Sequence, residues 1–278
     1  MAAADPYSAC DLGPELDVAI ARAAERIAGS GHVVAMTGAG LSVESGISPF
    51  RGKGGLWTRY GEPPMDGFQR FLADPRRAWQ ERLSPREPWL VGLVETLARA
   101  RPNAGHRALA GLERAGHCAC LITQNIDDLH RQAGQRALLE IHGNHRLLRC
   151  IECVARFEPA ELPVDPDDLP PRCPRCGGVV KGDTVNFGEP IPPDVLRRCY
   201  EQVEAADCMI VAGTSASVYP AAEFPYHVLQ AGGAVIEVNP EPTDLTEVAT
   251  LALAGPGGAV LERLLGRVVA LSPGRAAS

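Results

Sequence analysis

The chain of 278 residues has no apolar run long enough to cross a bilayer, and residues 1–13 lack the basic start and apolar centre of a secretory signal. A cytoplasmic protein that does not engage a membrane is the expectation. Basic residues are in deficit, 27 Lys and Arg against 34 Asp and Glu, and the formal net charge of -7 argues against broad nonspecific nucleic-acid binding. The nine cysteines are odd in number and four of them have metal spacing, which disfavours a secreted disulfide framework. No internal repeat stands out. What is present is 45% hydrophobic content in a chain long enough to bury a substantial core, most simply one large domain with a small insertion. Its expected partners are small molecules and protein segments.

The glycine loop Thr37-Gly38-Ala39-Gly40-Leu41-Ser42 follows the strand-like run His32-Val33-Val34-Ala35-Met36. Glycines let backbone N–H groups approach an anion closely, and Ser42 and Ser45 add hydroxyl donors. A dinucleotide is the first expectation, although Leu41, Ser42 and Val43 follow Gly40 and leave G-x-G-x-x-G without its third glycine. Four further polar clusters close short apolar runs: Thr123-Gln124-Asn125-Ile126-Asp127, His142-Gly143, Gly213-Thr214-Ser215 and Val238-Asn239-Pro240. In an open parallel α/β sheet the carboxyl ends of the strands form the ligand edge, so all five clusters are expected to converge on one crevice.

Cys150-Ile151-Glu152-Cys153 and Cys173-Pro174-Arg175-Cys176 form two C-x-x-C knuckles 19 residues apart, the spacing of a tetrahedral zinc held by four thiolates. Four cysteine ligands leave no position for water, so the zinc is expected to be structural. A nucleic-acid zinc ribbon and four unliganded thiols are the alternatives, the former disfavoured by the acidic stretch 158–168. Cys118, Cys120, Cys199 and Cys208 read as core-filling, and Cys10 has no pairing.

Residues 15–28 have helical periodicity. Strand-like runs near 118, 137, 208, 234 and 267 alternate with helix-like runs near 106, 194, 221 and 258, as in a Rossmann-type sheet. Between 52 and 102 the Gly, Pro and aromatic residues around 68–83 and 89–101 suggest a mobile loop and a small helical lobe. The expected fold is therefore α/β: a Rossmann-type parallel sheet over about 14–49, 102–142 and 182–278, with a helical insertion over about 50–101 and a zinc module over about 143–181.

The motifs TGAGLSVESGISPFRGKGGLW (37–57), PNAGH (102–106), TQNIDDLH (123–130), EIHG (140–143), FGEP (187–190), GTSASVYPAAEFP (213–225) and VNPE (238–241) run in the order found in one family. The chain resembles the sirtuins, NAD-dependent protein-lysine deacylases. That resemblance implies a reaction in which the acyl-amide oxygen attacks C1′ of the nicotinamide ribose and a base acts on a ribose hydroxyl. His142 suits that base, because imidazole titrates near neutral pH and this one follows a strand at the crevice edge. By the same resemblance Asn125 and Asp127 hold the nicotinamide ribose and carboxamide, Phe50 shields the reacting face, and Arg51 and Gln124 position phosphate and ribose. Gly38, Ala39, Gly40, Ser42, Trp57, Ile126, Gly213, Thr214 and Ser215 complete the NAD path. Asn239, Pro240 and Glu241 lie near the adenosine ribose, and Gly257 closes over the adenine.

The resemblance further implies that an acylated-lysine segment enters as an extended strand along Val185, Phe187, Gly188 and Glu189 and beside Val218, with the acyl chain in an apolar tunnel. Asn186 stands where the family usually has an aromatic or bulky residue. The subgroup that removes succinyl, malonyl and glutaryl groups carries a Tyr-x-x-Arg pair. Aligning Asp74-Pro75 and Trp79 with that helix puts Arg82 and Pro85 at the two places, so a neutral acyl group is expected unless Arg82 or Arg86 supplies the cation. Mono-ADP-ribosyl transfer on the same scaffold and a catalytically silent NAD-binding module are the other readings. The presence of His142, Asn125 and Asp127 disfavours the silent one.

Overall fold

The computed structural model describes residues 12–50 and 54–272. Arg51 and Cys10 therefore lie outside the described residues. The first helix, α1 (Pro14–Ala28), starts on a proline whose fixed φ suits a first turn, with Glu15 and Asp17 at its positive end. Ile20, Ala23, Ala24 and Ile27 recur at helical spacing and are buried. The strand β1 (Val33–Thr37) is buried along its whole length, and a 3-10 segment (Ala39–Ser45) follows, closed by Gly46 at φ 86°. Four short helices come next: α2 (Leu56–Tyr60), α3 (Gly67–Ala73), α4 (Pro75–Leu83) and α5 (Pro88–Arg99).

The chain returns to the sheet through α6 (Ala104–Arg114), whose N-terminus is capped by Asn103, and continues as β2 (Cys120–Thr123), α7 (Leu129–Gln132) and β3 (Leu138–Glu140). An excursion through β4 (Leu148–Cys150), β5 (Arg156–Phe157) and β6 (Val180–Gly182) follows. The last elements are α8 (Pro193–Ala205), β7 (Cys208–Ala212), α9 (Phe224–Gln230), β8 (Ala234–Asn239), β9 (Leu251–Ala254) and α10 (Gly257–Leu271).

Six strands form one parallel sheet in the order β3-β2-β1-β7-β8-β9. Because successive strands face apolar layers on both sides, they read as continuous hydrophobic runs, not as alternating ones. One layer contains Ile20, Ile27, Leu109, Leu112, Leu261 and Leu264 from α1, α6 and α10. The other is built around Val195, Cys199, Phe224 and Val228 from α8 and α9. Cys118, Cys120, Cys199 and Cys208 are all buried, as core-filling requires. The strand order reverses between β1 and β7, and the ligand crevice of such a sheet opens beyond the carboxyl ends of that pair.

The small antiparallel sheet β5-β4-β6 has its own core of Leu148, Phe157, Leu169 and Val180, on which Phe71 and Trp79 of α3 and α4 pack. The Trp79 indole N–H donates to Val180 O at 2.7 Å, so the helical insertion and the cysteine-bearing sheet share one apolar cluster. One expectation is corrected: the strand-like run near 267 is the last turns of α10. Leu261, Leu264 and Val268 sit three to four residues apart and are buried, so the helical stripe continues through Val268 despite its β-branching, while Val269 faces solvent.

Candidate active site

At the switch point three glycines allow two loops to touch. A Cβ on Gly38 would lie 2.7 Å from Thr214 Cβ, one on Gly40 2.8 Å from Gly213 O, and one on Gly213 2.1 Å from Leu41 N. Gly213 also has φ 62°, which disfavours any side chain. Gly38 N donates to Ala212 O at 3.1 Å and Gly40 N to Gly213 O at 2.7 Å, locking the ends of β1 and β7 together. Around this seam lie Thr214, whose hydroxyl accepts from Gln124 Nε2 at 3.0 Å, and Asn239, whose amide donates to Thr214 O at 3.0 Å. Ser215 is exposed and pairs with Ser217, and Pro240 and Glu241 are exposed just past β8. Gly257 opens α10 against Leu41, and Glu44 caps that helix by accepting from Gly258 N at 2.9 Å. Ala39 also lines this loop, at the first position of the 3-10 segment.

Beside the glycines is a buried polar cluster. Ser42 Oγ donates to Asp127 Oδ2 at 2.6 Å, and Asn125 Nδ2 donates to Gly38 O at 2.9 Å and to Ser42 Oγ at 3.1 Å. Asp127 accepts a further bond from Leu129 N at 3.0 Å. Burial raises the Asp127 carboxyl above its ordinary range, opposed by the Ser42 and Leu129 donors. His142 Nδ1 lies 3.0 Å from Gln124 O. A carbonyl only accepts, so Nδ1 carries the proton and Nε2 keeps a free lone pair. Burial holds this imidazole below its usual pKa, against the Gln124 bond, and so keeps it neutral.

The structure places Phe50, Trp57 and Phe187 in a row, with centroids 5.3 Å and 5.6 Å apart, joining the cofactor-side loop to the segment after β6. Val185 N donates to His142 O at 2.9 Å, directly linking that segment to the histidine turn. The segment is not a regular strand. Glu189 N returns to Asn186 O, and Phe187 O is taken by Phe68 N of α3. Glu189 is paired with Lys181 at 3.0 Å, Gly188 is exposed, and Ile126 and Val218 are half-buried.

The Sir2 family model matches residues 38–220. The chain belongs to the Sir2 family. It is similar to NAD-dependent protein deacylase 1 of Archaeoglobus fulgidus, 46% identical over 242 residues covering 87% of this chain and 95% of that protein. NAD-dependent protein deacylase of Pyrococcus abyssi is 41% identical over 253 residues, covering 90% and 98%. Among solved structures, a Sir2 homologue in complex with NAD is 45% identical, with a TM-score of 0.74 over 90% of this chain and 94% of that one. A Sir2 complex with a p53 peptide and NAD is 30% identical, with a TM-score of 0.69 over 91% and 98%.

In this sirtuin the four knuckle thiols Cys150, Cys153, Cys173 and Cys176 lie within 4.8 Å of one another. The Cys150–Cys176 and Cys153–Cys173 sulfur pairs are 3.5 and 3.7 Å apart, close to the roughly 3.8 Å edge of a tetrahedron with Zn–S bonds near 2.3 Å. Backbone N–H groups of Glu152, Arg175 and Gly178 each lie 3.4 Å from a knuckle sulfur, the arrangement that stabilises thiolates. These residues fit a structural zinc.

Several residues of the site escaped sequence reasoning. The rings of His106 and His130 meet at a tilt of 54° with centroids 4.7 Å apart, and His130 Nε2 lies 2.9 Å from Thr37 Oγ1 at the end of β1. His145 bonds Ile126 O through both its N–H and Nδ1. Lys181, Arg149 and Asp183 are buried charges next to the histidine turn. Their signal in the sequence is a charge inside an apolar run, as in Leu147-Leu148-Arg149-Cys150 and Val179-Val180-Lys181.

No helix among the described residues is long and apolar enough to cross a membrane.

Proposed function

We propose that this sirtuin removes acetyl or another neutral acyl group from lysine side chains of proteins, consuming NAD and releasing nicotinamide, O-acyl-ADP-ribose and free lysine. The observation that carries the reading is the Nδ1 bond of His142 to Gln124 O, which leaves Nε2 unprotonated at the crevice edge beside Asn125 and Asp127. NAD supplies, when bound, a ribose carbon that becomes electrophilic as nicotinamide departs. His142 Nε2 takes the proton of a ribose hydroxyl, a role its depressed pKa permits at neutral pH. Asn125 and Asp127, fixed through Ser42 and Gly38 O, are preorganised to bind the ribose and carboxamide end. The hydroxyl and amide groups of Ser42, Gln124, Thr214, Ser215 and Asn239 offer polar partners for a dinucleotide. Phe50, Trp57 and Phe187 exclude water from the reacting face. The acylated protein segment lies along Val185, Phe187, Gly188 and Glu189, opposite Val218.

Arg82 supports the neutral-acyl preference. Its Nη2 donates to His145 O at 2.9 Å, and its guanidinium lies where a Cβ on Gly182 would be, 2.5 Å from Nη1. Although the side chain as a whole is exposed, its guanidinium is engaged at the junction between α4 and β6 by the His145 carbonyl and the Gly182 backbone. A succinyl carboxylate entering an apolar tunnel without a free cation loses hydration worth several kcal/mol. The test is product analysis by mass spectrometry with NAD and otherwise identical acetyl- and succinyl-lysine peptides. O-acetyl-ADP-ribose and deacetylated peptide are expected, at a higher kcat/KM than for succinyl. ADP-ribosylated protein without deacylated peptide would overturn the deacylase reading, and a succinyl preference abolished by Arg82→Ala would overturn the acyl assignment.

A further inference from the structure

We infer that Arg156, in the cysteine-bearing sheet, is a positioning residue for His142. His142 and Gly143 form a tight turn, with Gly143 at φ 79° and so close to the chain beyond β6 that a Cβ on it would lie 1.7 Å from Asp183 O. Two buried carboxylates flank this turn: Glu140, two residues before His142, and Asp183, packed against Gly143. Asn144, fully buried, joins them, donating from its side chain to Glu140 Oε1 at 2.6 Å and from its backbone to Asp183 Oδ2 at 3.2 Å. Either carboxylate alone would be a costly buried anion, and each has a cation of its own: Arg131 on Glu140 at 2.6 Å, and Arg149 on Asp183.

Arg156 is the cation shared by both. Its Nη2 reaches Glu140 Oε2 at 2.8 Å and also Asp183 Oδ2, and its Nε donates to Asp183 Oδ2 at 2.8 Å. A guanidinium presents donors in a planar fork, so one side chain can hold two carboxylates at a fixed separation. Arg156 belongs to β5, three residues after Cys153, and pairs in register with Arg149 of β4, next to Cys150. The turn carrying His142 is thus clamped to the parallel sheet through Glu140 and to the cysteine-bearing sheet through Arg156. This gives a structural zinc with no open coordination position a route to the rate: by holding β4 and β5 it holds Arg156, and with it the turn.

The kinetic part of this inference rests on the deacylase reading, so the test has a second part that does not. In Arg156→Met, kcat for an acetyl peptide is expected to fall about 10- to 100-fold, the scale of an ångström-sized misplacement, while ADP-ribose and peptide affinities change less than about threefold. Bound zinc should be retained. Amide hydrogen exchange at Gly143, Asn144 and Val185 is expected to accelerate by about tenfold or more, with the β7 and β8 amides unchanged. Arg156→Lys, able to meet only one carboxylate at a time, should be intermediate in both readouts, and it carries the test if the methionine variant does not fold. Unchanged exchange at the turn overturns the clamp whether or not the wild type deacylates peptides. Accelerated exchange with wild-type kcat, or a loss of ADP-ribose affinity as large as the loss of kcat, overturns the positioning role.

Discussion

Acid should destabilise this protein well before its carboxylates protonate, because of the buried, touching pair His106 and His130. The two rings are 0% and 2% exposed. Burial pushes His130 down to about 3, and burial together with the neighbouring His130 holds His106 well below 6.5. In the unfolded chain both titrate near 6.5, so below that pH the unfolded state binds protons that the folded state refuses. Stability is therefore fully present above about pH 6.5 and is lost as pH falls toward the folded pKa values. Going to pH 5, about 1.5 units below the unfolded value, costs about 2 kcal/mol for His130 alone, and His106, shifted in the same direction, adds to that loss. Even the His130 contribution is a substantial share of the about 5–15 kcal/mol typical of a domain. His142, also depressed by burial, adds a term of the same sign. Glu140 and Asp207, held below the ordinary carboxylate range, lose their contributions only at lower pH, and Asp127, raised by burial, works in the opposite direction. Urea unfolding followed by circular dichroism at constant ionic strength measures the difference between pH 7 and 5. His130→Gln should remove about 2 kcal/mol of the loss, and His106→Gln should also reduce it. A wild-type loss below about 1 kcal/mol, or glutamine variants that lose as much as wild type, would refute the reasoning.

Two further outcomes follow from the geometry. One zinc per chain is expected by atomic absorption, and Cys173→Ala should expose the small sheet around Leu148, Phe157 and Val180 to hydrogen exchange before the parallel sheet opens, since metal binding there is folding energy; a zinc-free purified protein or unchanged exchange would contradict this. Gly213→Ala, which places a methyl 2.1 Å from Leu41 N at a φ of 62°, should destabilise by about 3 kcal/mol or more in urea unfolding, and a loss below about 1 kcal/mol would show that the β1–β7 seam yields easily.

The parallel sheet was legible because its strands are short apolar runs ending in polar clusters, and the ends of β1, β2, β3, β7 and β8 do meet at one edge. The edge strand β9 was not, since Leu251-Ala252-Leu253-Ala254 is poor in β-branched residues and gains its pairing only from β8. The β-branched pair Val268 and Val269 misled for the converse reason: local strand preference yielded to a helix whose buried stripe, ending at Val268, packs in one cluster with α1 and α6. For the site, the four cysteines could be read from spacing alone, as could the place of His142 at a strand end. The tautomer of His142 could not, because it depends on Gln124 O, 18 residues away. Nor could the pairing of Arg149 and Arg156 with Asp183, which brings together segments about 30 residues apart.

Most of the proposed chemistry turns on His142 as the base of an NAD-dependent deacylation. The most direct measurement is the kcat of His142→Ala on an acetyl-lysine peptide with NAD, alongside calorimetric binding of ADP-ribose and peptide to the same variant. Turnover is expected to fall about 100-fold or more with both ligands still bound. Near-wild-type turnover by the folded variant would contradict it.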